Sequence, residues 1–462
     1  MSAQPDDAPS LPPAAAKGRW LIVVLLVALA SHACVFFFFV YDERSNDEKE
    51  YLSLGIALSD TGALRSPTGE FAKRMPLFPV LIAAVDRWQG REVLDSGIIE
   101  AQSILSMFAT IFIALIARRL SDPRGAIVAG LIAALYAPFR YLQSVYLTET
   151  LVITLLMAAI LLYLVALESD RPARRWAAWC GTAVLLGLGA LTRADAGVFA
   201  LPFALHAAWR SGPSVKGILR AVILLLGVGM AAIGWGDRNS RVIGAWTLST
   251  SGGLNFYLGN NLDYSKRPGM DQADYGAFDR LRRKGLSEVE ADRRLYAMGR
   301  TFIAAHPADW ALNILRKFRV WAGTSVTWTP PGTLLIVAWT LALAGRRTPY
   351  HRWLLTAAIV LSIVWLAVFW RLMRPWSHPM FVFPLGLAGL FYFDDRLKVR
   401  GLLIGLIAAQ LAVALAFIPL ERLRWTVDGI LIVALAATVS RICDRLHTLD
   451  AIFRTGTETP SN

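Results

Sequence analysis

Apolar runs recur along most of this chain, separated by short basic turns and by two long polar stretches. A run of about 20 apolar residues is long enough to cross a bilayer, and hydropathy places about twelve of them. The first six lie near 20–40, 98–117, 124–139, 147–167, 176–192 and 195–209; the others lie near 218–236, 332–345, 352–370, 379–393, 401–419 and 426–440. Lys17 and Arg19 precede the first run. Every even-numbered run ends at a basic cluster: Arg118, Arg119 and Arg124; Arg171, Arg174 and Arg175; Arg210, Lys216 and Arg220; Arg346, Arg347 and Arg352; Arg396, Lys398 and Arg400; Arg441 and Arg445. Basic residues mark cytoplasmic turns, so the pattern predicts both termini inside and segments 41–97 and 237–331 outside.

Those two polar segments carry helical patterns of their own. Asp47, Tyr51, Leu54 and Leu58 recur at helical spacing, which predicts an amphipathic helix with a carboxylate on its apolar stripe. The apolar stretch 75–88 holds Pro76 and Pro79 and is too short to span, so it is expected to lie in the interface. In the second segment, Ser287 followed by Glu290 reads as a capping box opening a helix. After His306-Pro307, residues 308–323 mix Trp310, Leu312, Leu315, Phe318 and Trp321 with Arg316, Lys317 and Arg319, which suits a further interfacial helix. The expected architecture is an all-α, polytopic bundle of about twelve spans under a lid of surface helices.

Composition agrees with a membrane protein and changes one reading. Of 462 residues, 55% are hydrophobic, and the mean hydropathy is +0.48. The formal net charge of +13 is scattered over short turns, as topology demands, with no nucleic-acid-binding motif beside it. Nucleic acid is therefore excluded as a partner, and the bilayer takes its place. Cys34, Cys180 and Cys443 have the spacing of neither a zinc site nor a disulfide framework. Residues 1–18, rich in Ala and Pro, are expected to be a disordered cytoplasmic tail, with the first run a retained anchor. Residues 441–462 are expected to form a second cytoplasmic tail.

Candidate chemistry gathers where the apolar runs meet the outer side. Asp42, Glu43, Asp47, Glu48 and Glu50 follow directly on the first run. A carboxylate there can serve as general base to an acceptor hydroxyl, and Asp47 with its neighbour Glu48 is the candidate; the plainer alternative is a solvated acidic helix start. Arg74, in Lys73-Arg74-Met75-Pro76-Leu77-Phe78-Pro79, could hold a phosphate at headgroup depth or simply snorkel. Glu149 opens the fourth run, where the helix dipole favours an acid and where a second carboxylate could orient an acceptor or help hold a divalent cation. Arg193 sits in a tight outer turn with Asp195 as a possible ion-pair partner. Arg371, Arg374 and His378 form a basic patch on a short outer loop, against the positive-inside trend, and suit an anionic ligand. Tyr51 and Asn260 are candidates for positioning donor or acceptor. The chain has no Walker A sequence, dinucleotide fingerprint, zinc-protease helix or nucleophile elbow. An enzyme of this kind would take its substrate already activated.

The order Asp47-Glu48-x-x-Tyr51, Arg74-Met75-Pro76-Leu77-Phe78-Pro79, Thr148-Glu149, Thr192-Arg193 and His306-Pro307 resembles the membrane glycosyltransferases of the GT-C class. Within that class it is most similar to the bacterial branch related to protein O-mannosyltransferases and to the aminoarabinose transferase acting on lipid A. It departs from that branch at Lys73, where the aminoarabinose enzymes have an acid, and at His378-Pro379, where relatives often have Arg-Tyr. The resemblance implies a GT-C-like domain over residues 19–440 in the inner or plasma membrane, with its active site on the outer face. It implies a polyprenyl-phosphate-linked sugar as donor and an envelope protein, lipid or glycan as acceptor. It also implies Asp47 as the catalytic acid–base group, with Glu48 and Glu149 beside it, and a donor-phosphate site at Arg74, Arg193, Arg371, Arg374 and His378. One base acting in direct displacement would invert the anomeric carbon. No metal site follows with any definition. The competing expectations are a transporter or flippase of lipid-linked sugars, and a non-catalytic binder of polyprenyl phosphate.

Overall fold

In the computed structural model the described residues are 44–212, 214–266, 274–322 and 379–455, with short helical pieces within 22–30 and 353–360, and every regular element among them is a helix. The N-terminal tail, most of the first run, nearly all of the runs expected at 332–345 and 352–370, and the patch Arg371, Arg374 and His378 lie outside the described residues.

The chain enters at α1 (Asn46–Thr61). Ser45 caps it, accepting from the Glu48 amide while the Glu48 carboxylate accepts from the Ser45 amide, a reciprocal capping box. After a loop, α2 (Leu77–Gln89) starts at the proline-fixed turn. The apolar stripe expected on α1 is real: Tyr51 and Leu54 are buried. Tyr51 packs with Phe78, Ile82, Leu94, Ile98, Tyr146 and Leu151 in a small core that fastens both short helices onto one end of the bundle. A Cβ on Gly55 would lie 2.3 Å from Ile82 Cγ2, so the close approach of α1 and α2 depends on glycine there.

The bundle follows as α3 (Leu94–Leu120), α4 (Pro123–Leu135), α5 (Ala137–Ser144), α6 (Glu149–Glu168), α7 (Pro172–Thr192), α8 (Ala200–Ser211) and α9 (Val215–Ile243). Short helices α10 (Gly252–Gly259), α11 (Leu262–Lys266) and α12 (Ala277–Arg283), then α13 (Glu288–Ala305) and α14 (Pro307–Trp321), make up the second polar segment. The chain returns through α15 (Pro379–Tyr392), α16 (Arg400–Ala416) and α17 (Glu421–Thr455).

Among the described residues, four helical stretches are long and apolar enough to cross a membrane: Arg91–Leu120, Glu149–Glu168, Val215–Ile243 and Glu421–Cys443. The protein is thus a multi-pass membrane protein. The run expected at 124–139 is bent by 47° at Tyr136, between α4 and α5, and counts as a fifth span only if the bent pair is one. Other expected spans are shorter than hydropathy suggested. The run at 195–209 starts as a 3-10 stretch, Ala194–Phe199, and continues as a helix of 12 residues; α15 has 14. At about 1.5 Å per residue neither crosses about 30 Å of hydrocarbon as a straight helix. The described residues therefore do not bear out the full count of twelve. The last helix runs on to Thr455, past the boundary expected at 440.

Burial sorts the spans by role. Among the described residues only 11% of the apolar window of α9 is buried, whereas 72% of the α17 window is buried within the bundle. The two ends of the bundle differ in chemistry. At one end Arg119 pairs with Glu168, Arg175 and Arg210 donate to backbone carbonyls of Ser169 and Leu397, and Arg441 donates to Tyr392 O. His206, bonded to Tyr163 and to Lys398 O, ties these turns together. The opposite end holds α1, α2 and the start of α6, the end of α7 and the start of α17.

Candidate active site

Five chain segments bring charge to that opposite end. The first turn of α1 supplies Asp47 and Glu50, and the residues before α2 supply Lys73 and Arg74. The α6 start and the α7 end supply Glu149 and Arg193, with Asp195 just beyond. The fifth contribution is Arg422, in the first turn of α17.

These residues form one continuous network. Arg74 Nη2 donates to Asp47 Oδ1 at 2.6 Å and to Glu50 Oε2 at 2.7 Å. Lys73 Nζ lies 3.3 Å from the other Glu50 oxygen. Arg422 Nη2 donates to Asp47 Oδ2 at 2.5 Å, and its Nε is 3.4 Å from Glu149 Oε1. Arg193 donates to Glu149 Oε1 at 3.3 Å and to Thr148 Oγ1 at 3.2 Å, and grips Asp195 with Nε and Nη2. Four cations face four carboxylates.

Exposure separates the carboxylates by what can reach them. The Glu149 side chain is 1% exposed and that of Asp47 31%. Asp47 is the most exposed of the four, ahead of Asp195 at 23% and Glu50 at 14%, and so the one an incoming group meets most readily. Burial by itself would raise its pKa, but the charges and hydrogen bonds of Arg74 and Arg422 outweigh that and hold it well below the ordinary carboxylate range. Arg74 lies over the Tyr51 ring at 5.0 Å, and Tyr51 stands edge-on to Phe78 at 5.3 Å. The tyrosine thus acts as a rigid floor under the guanidinium, and burial pushes its hydroxyl above the usual value.

The cluster still has unspent hydrogen-bonding capacity on its arginines. Arg74 Nε and Arg422 Nε are buried and make no hydrogen bond among the described residues, although Arg422 Nε lies 3.4 Å from Glu149 Oε1. Buried donors without acceptors are costly, and a phosphate oxygen would satisfy them. A divalent cation fits less well. Each carboxylate is already matched by a guanidinium or ammonium, and among the described residues no group of three or more His, Cys, Asp and Glu side chains could hold a metal ion.

Other residues singled out in the sequence are placed elsewhere. Glu48 faces away from the cluster: Oε2 closes the Ser45 cap and Oε1 accepts from the Tyr146 amide at 3.0 Å, tying α1 to the turn before α6. Asn260 is buried, donating to Phe256 O and Ala416 O and accepting from Lys317 Nζ at 3.0 Å. It joins α10, α14 and the end of α16 and touches none of the paired charges. His306 stands at the N-cap position of α14, exposed and without a side-chain capping bond.

Arg422 was missed by sequence reading, and so was the part played by Glu50. The signal was present: Arg422 and Arg424 follow Glu421 at the start of the last run, on the side the basic turns predict to be outer and so against the positive-inside trend. That is the same exception that drew notice to Arg371 and Arg374.

Residues 73–235 match the model of a family described as dolichyl-phosphate-mannose-protein mannosyltransferase. This stretch contains Lys73, Arg74, Glu149, Arg193 and Asp195, while Asp47, Glu50 and Arg422 lie outside it. No curated protein matches the sequence. Among solved structures, the oligosaccharyltransferase of Archaeoglobus fulgidus, crystallised with Zn and sulfate, aligns with a TM-score of 0.52 at 14% identity, over 95% of this chain and 52% of that one. The archaeal oligosaccharyltransferase AglB from the same organism, in complex with an inhibitory peptide and a dolichol-phosphate, aligns at 0.51 and 16%, over 97% and 53%. ArnT from Cupriavidus metallidurans bound to undecaprenyl phosphate aligns more loosely, at 0.37 and 16%, over 92% and 78%. The chain spans about half the length of the oligosaccharyltransferases it matches. The likeness to these oligosaccharyltransferases is one of fold, and the chain is accordingly a membrane protein of the GT-C glycosyltransferase fold that carries, in residues 73–235, the pattern of the mannosyltransferase family.

Proposed function

We propose that the protein transfers a sugar from a polyprenyl-phosphate donor to an acceptor of the cell envelope, with Asp47 as general base and on the face of the membrane opposite the basic turns. The observation that carries this reading is the placement of Asp47. It is the partly exposed carboxylate at the centre of the cluster, between two arginines that retain unsatisfied buried donors. The family match and the dolichol-phosphate bound by the structural neighbour support the choice of donor.

In this reading the donor phosphate lodges between Arg74 and Arg422. An acceptor hydroxyl attacks the anomeric carbon as the bond from that carbon to the phosphate oxygen breaks. The electron pair leaves with the phosphate, which the guanidiniums stabilise, and the hydroxyl proton passes to Asp47. Attack opposite the leaving group inverts the anomeric carbon. Glu149, buried and fixed by Arg193 and Arg422, holds the second arginine in place. The resting ion pairs also imply an order. Asp47 is a weak base while both guanidiniums grip it. A phosphate that draws them off raises its proton affinity, so the donor binds first and the base becomes competent afterwards.

The test uses the full-length protein in nanodiscs with a panel of polyprenyl-phosphate sugars and envelope extract, following free polyprenyl phosphate by mass spectrometry. Release from one donor in the panel is expected. Binding without release from any of them would favour the binding reading, and movement of intact donor across vesicles would favour the flippase.

A further inference from the structure

We infer that Glu288 is a positioning residue for the phosphate site, holding the Lys73–Arg74 segment from the far side through its backbone. Glu288 is the first residue of α13 and is 5% exposed. It reaches 217 positions back along the chain: Oε1 accepts from the Phe71 amide at 3.0 Å, and Oε2 accepts from the Ala72 amide at 3.2 Å. Oε2 also accepts from Thr250 Oγ1 at 2.8 Å. A carboxylate that receives two consecutive amides fixes the direction of the chain that carries them.

The same few residues are held from other sides as well. Thr250 N donates to Ala72 O at 2.9 Å, Ser249 Oγ to Lys73 O at 2.8 Å, and Arg238 Nη1 to Phe71 O at 2.7 Å. Both backbone groups of Phe71 and of Ala72, and the carbonyl of Lys73, are thereby bonded to the second polar segment or to the end of α9. Arg74 follows immediately, and α2 starts three residues later. The segment bearing the phosphate arginine would otherwise be a loop of 15 residues, 62–76, free to vary on the angstrom scale that catalytic positioning does not tolerate. Glu288 lies at the centre of this clamp, and its placement at a helix start favours its negative charge.

This inference rests on the phosphate reading of the site, and the test separates the two. Undecaprenyl phosphate binding to the full-length protein in nanodiscs would be measured for wild type, Glu288→Ala, Glu288→Gln and Glu290→Ala. Glu290 closes the capping box of the same helix end without touching residues 71–73, so its variant controls for a loosened α13. Glu288→Ala is expected to weaken binding at least tenfold. Glu288→Gln, which keeps one acceptor oxygen, should fall between, and Glu290→Ala should bind as wild type. In an Arg74→Ala background, Glu288→Ala should add nothing, because the two act through one contact. Wild-type affinity in both Glu288 variants would overturn the inference and leave the phosphate site standing. So would an equal loss in Glu290→Ala, or full additivity with Arg74→Ala. No binding by wild type would remove the phosphate reading and the inference with it.

Discussion

Two arginine–aspartate pairs begin from the same turn of α17 and show what solvent access does to one chemistry. Arg422 reaches Asp47, 375 positions away, with side chains 23% and 31% exposed. Arg424 reaches Asp428, four residues on, with both side chains fully buried. In the buried pair every strong partner is spoken for. Arg424 Nη1 donates to Ala322 O at 2.7 Å, and Tyr136, at the bend between α4 and α5, donates to Asp428 Oδ2 at 2.6 Å. The pair is a joint linking α17, the α14 end and the bent helix. In the half-open pair the arginine is shared between two carboxylates, and its Nε, 3.4 Å from Glu149, makes no hydrogen bond. The first pair can exchange its partner for a ligand; the second cannot do so without opening the bundle.

The largest expected effect is on the buried joint. Asp428→Ala leaves an uncompensated buried guanidinium and should destabilise the protein by about 3–5 kcal/mol, read as a large fall in thermal midpoint in nanodiscs. Replacing both partners together, Arg424→Met with Asp428→Leu, should recover much of that loss. A midpoint unchanged in Asp428→Ala would erase the distinction between the pairs.

Arg422→Ala should behave in the opposite way. Its stability change should stay within about 1 kcal/mol, while undecaprenyl phosphate binding should weaken by about 10–100-fold, as for loss of a hydrogen bond to a charged group worth about 1.5–3 kcal/mol. Unaltered affinity would put the phosphate elsewhere. A smaller effect is expected from Tyr136→Phe, which removes one hydrogen bond to Asp428 and should cost about 1–3 kcal/mol of stability with phosphate affinity unchanged.

The pH dependence sharpens the contrast further. Asp47 has its pKa depressed by its arginines. Its contribution to stability is therefore complete above the unfolded carboxylate value of about 3.9 and is lost only as pH falls through the lower folded value. The stability difference between wild type and Asp47→Asn should be constant from about pH 5 to 8 and shrink only in stronger acid. A difference that vanishes near pH 5 would mean the arginines do not hold Asp47 in solution.

Much of this arrangement was legible in local pattern. The stripe through Asp47, Tyr51 and Leu54 foretold α1 and its docking, and Ser287 with Glu290 foretold the start of α13, because both signals span only a few residues. Asp47, Arg74, Glu149 and Arg193 were singled out at separate helix ends, and the fold brings these four together. Glu48 stood beside Asp47 in sequence, but on a helix adjacent residues point about 100° apart, and it turned to cap α1 and bind Tyr146. What Arg422 and Glu288 would contact was not legible. Their partners lie 375 and 217 positions away, and only the fold supplies that proximity. Span lengths were overestimated where a bend at Tyr136 or a 3-10 start at Ala194 interrupts an apolar run without lowering its hydropathy.

The central claim is that Asp47 is the group that takes the acceptor proton, and one comparison tests it most directly. Wild type and Asp47→Asn, matched for thermal midpoint, would be given the donor that wild type turns over, and release of polyprenyl phosphate followed by mass spectrometry. Loss of a general base predicts a fall of about 10²–10⁴-fold in the variant with the fold intact. Equal release by both proteins would contradict it and leave Asp47 as no more than a resting partner for its two arginines.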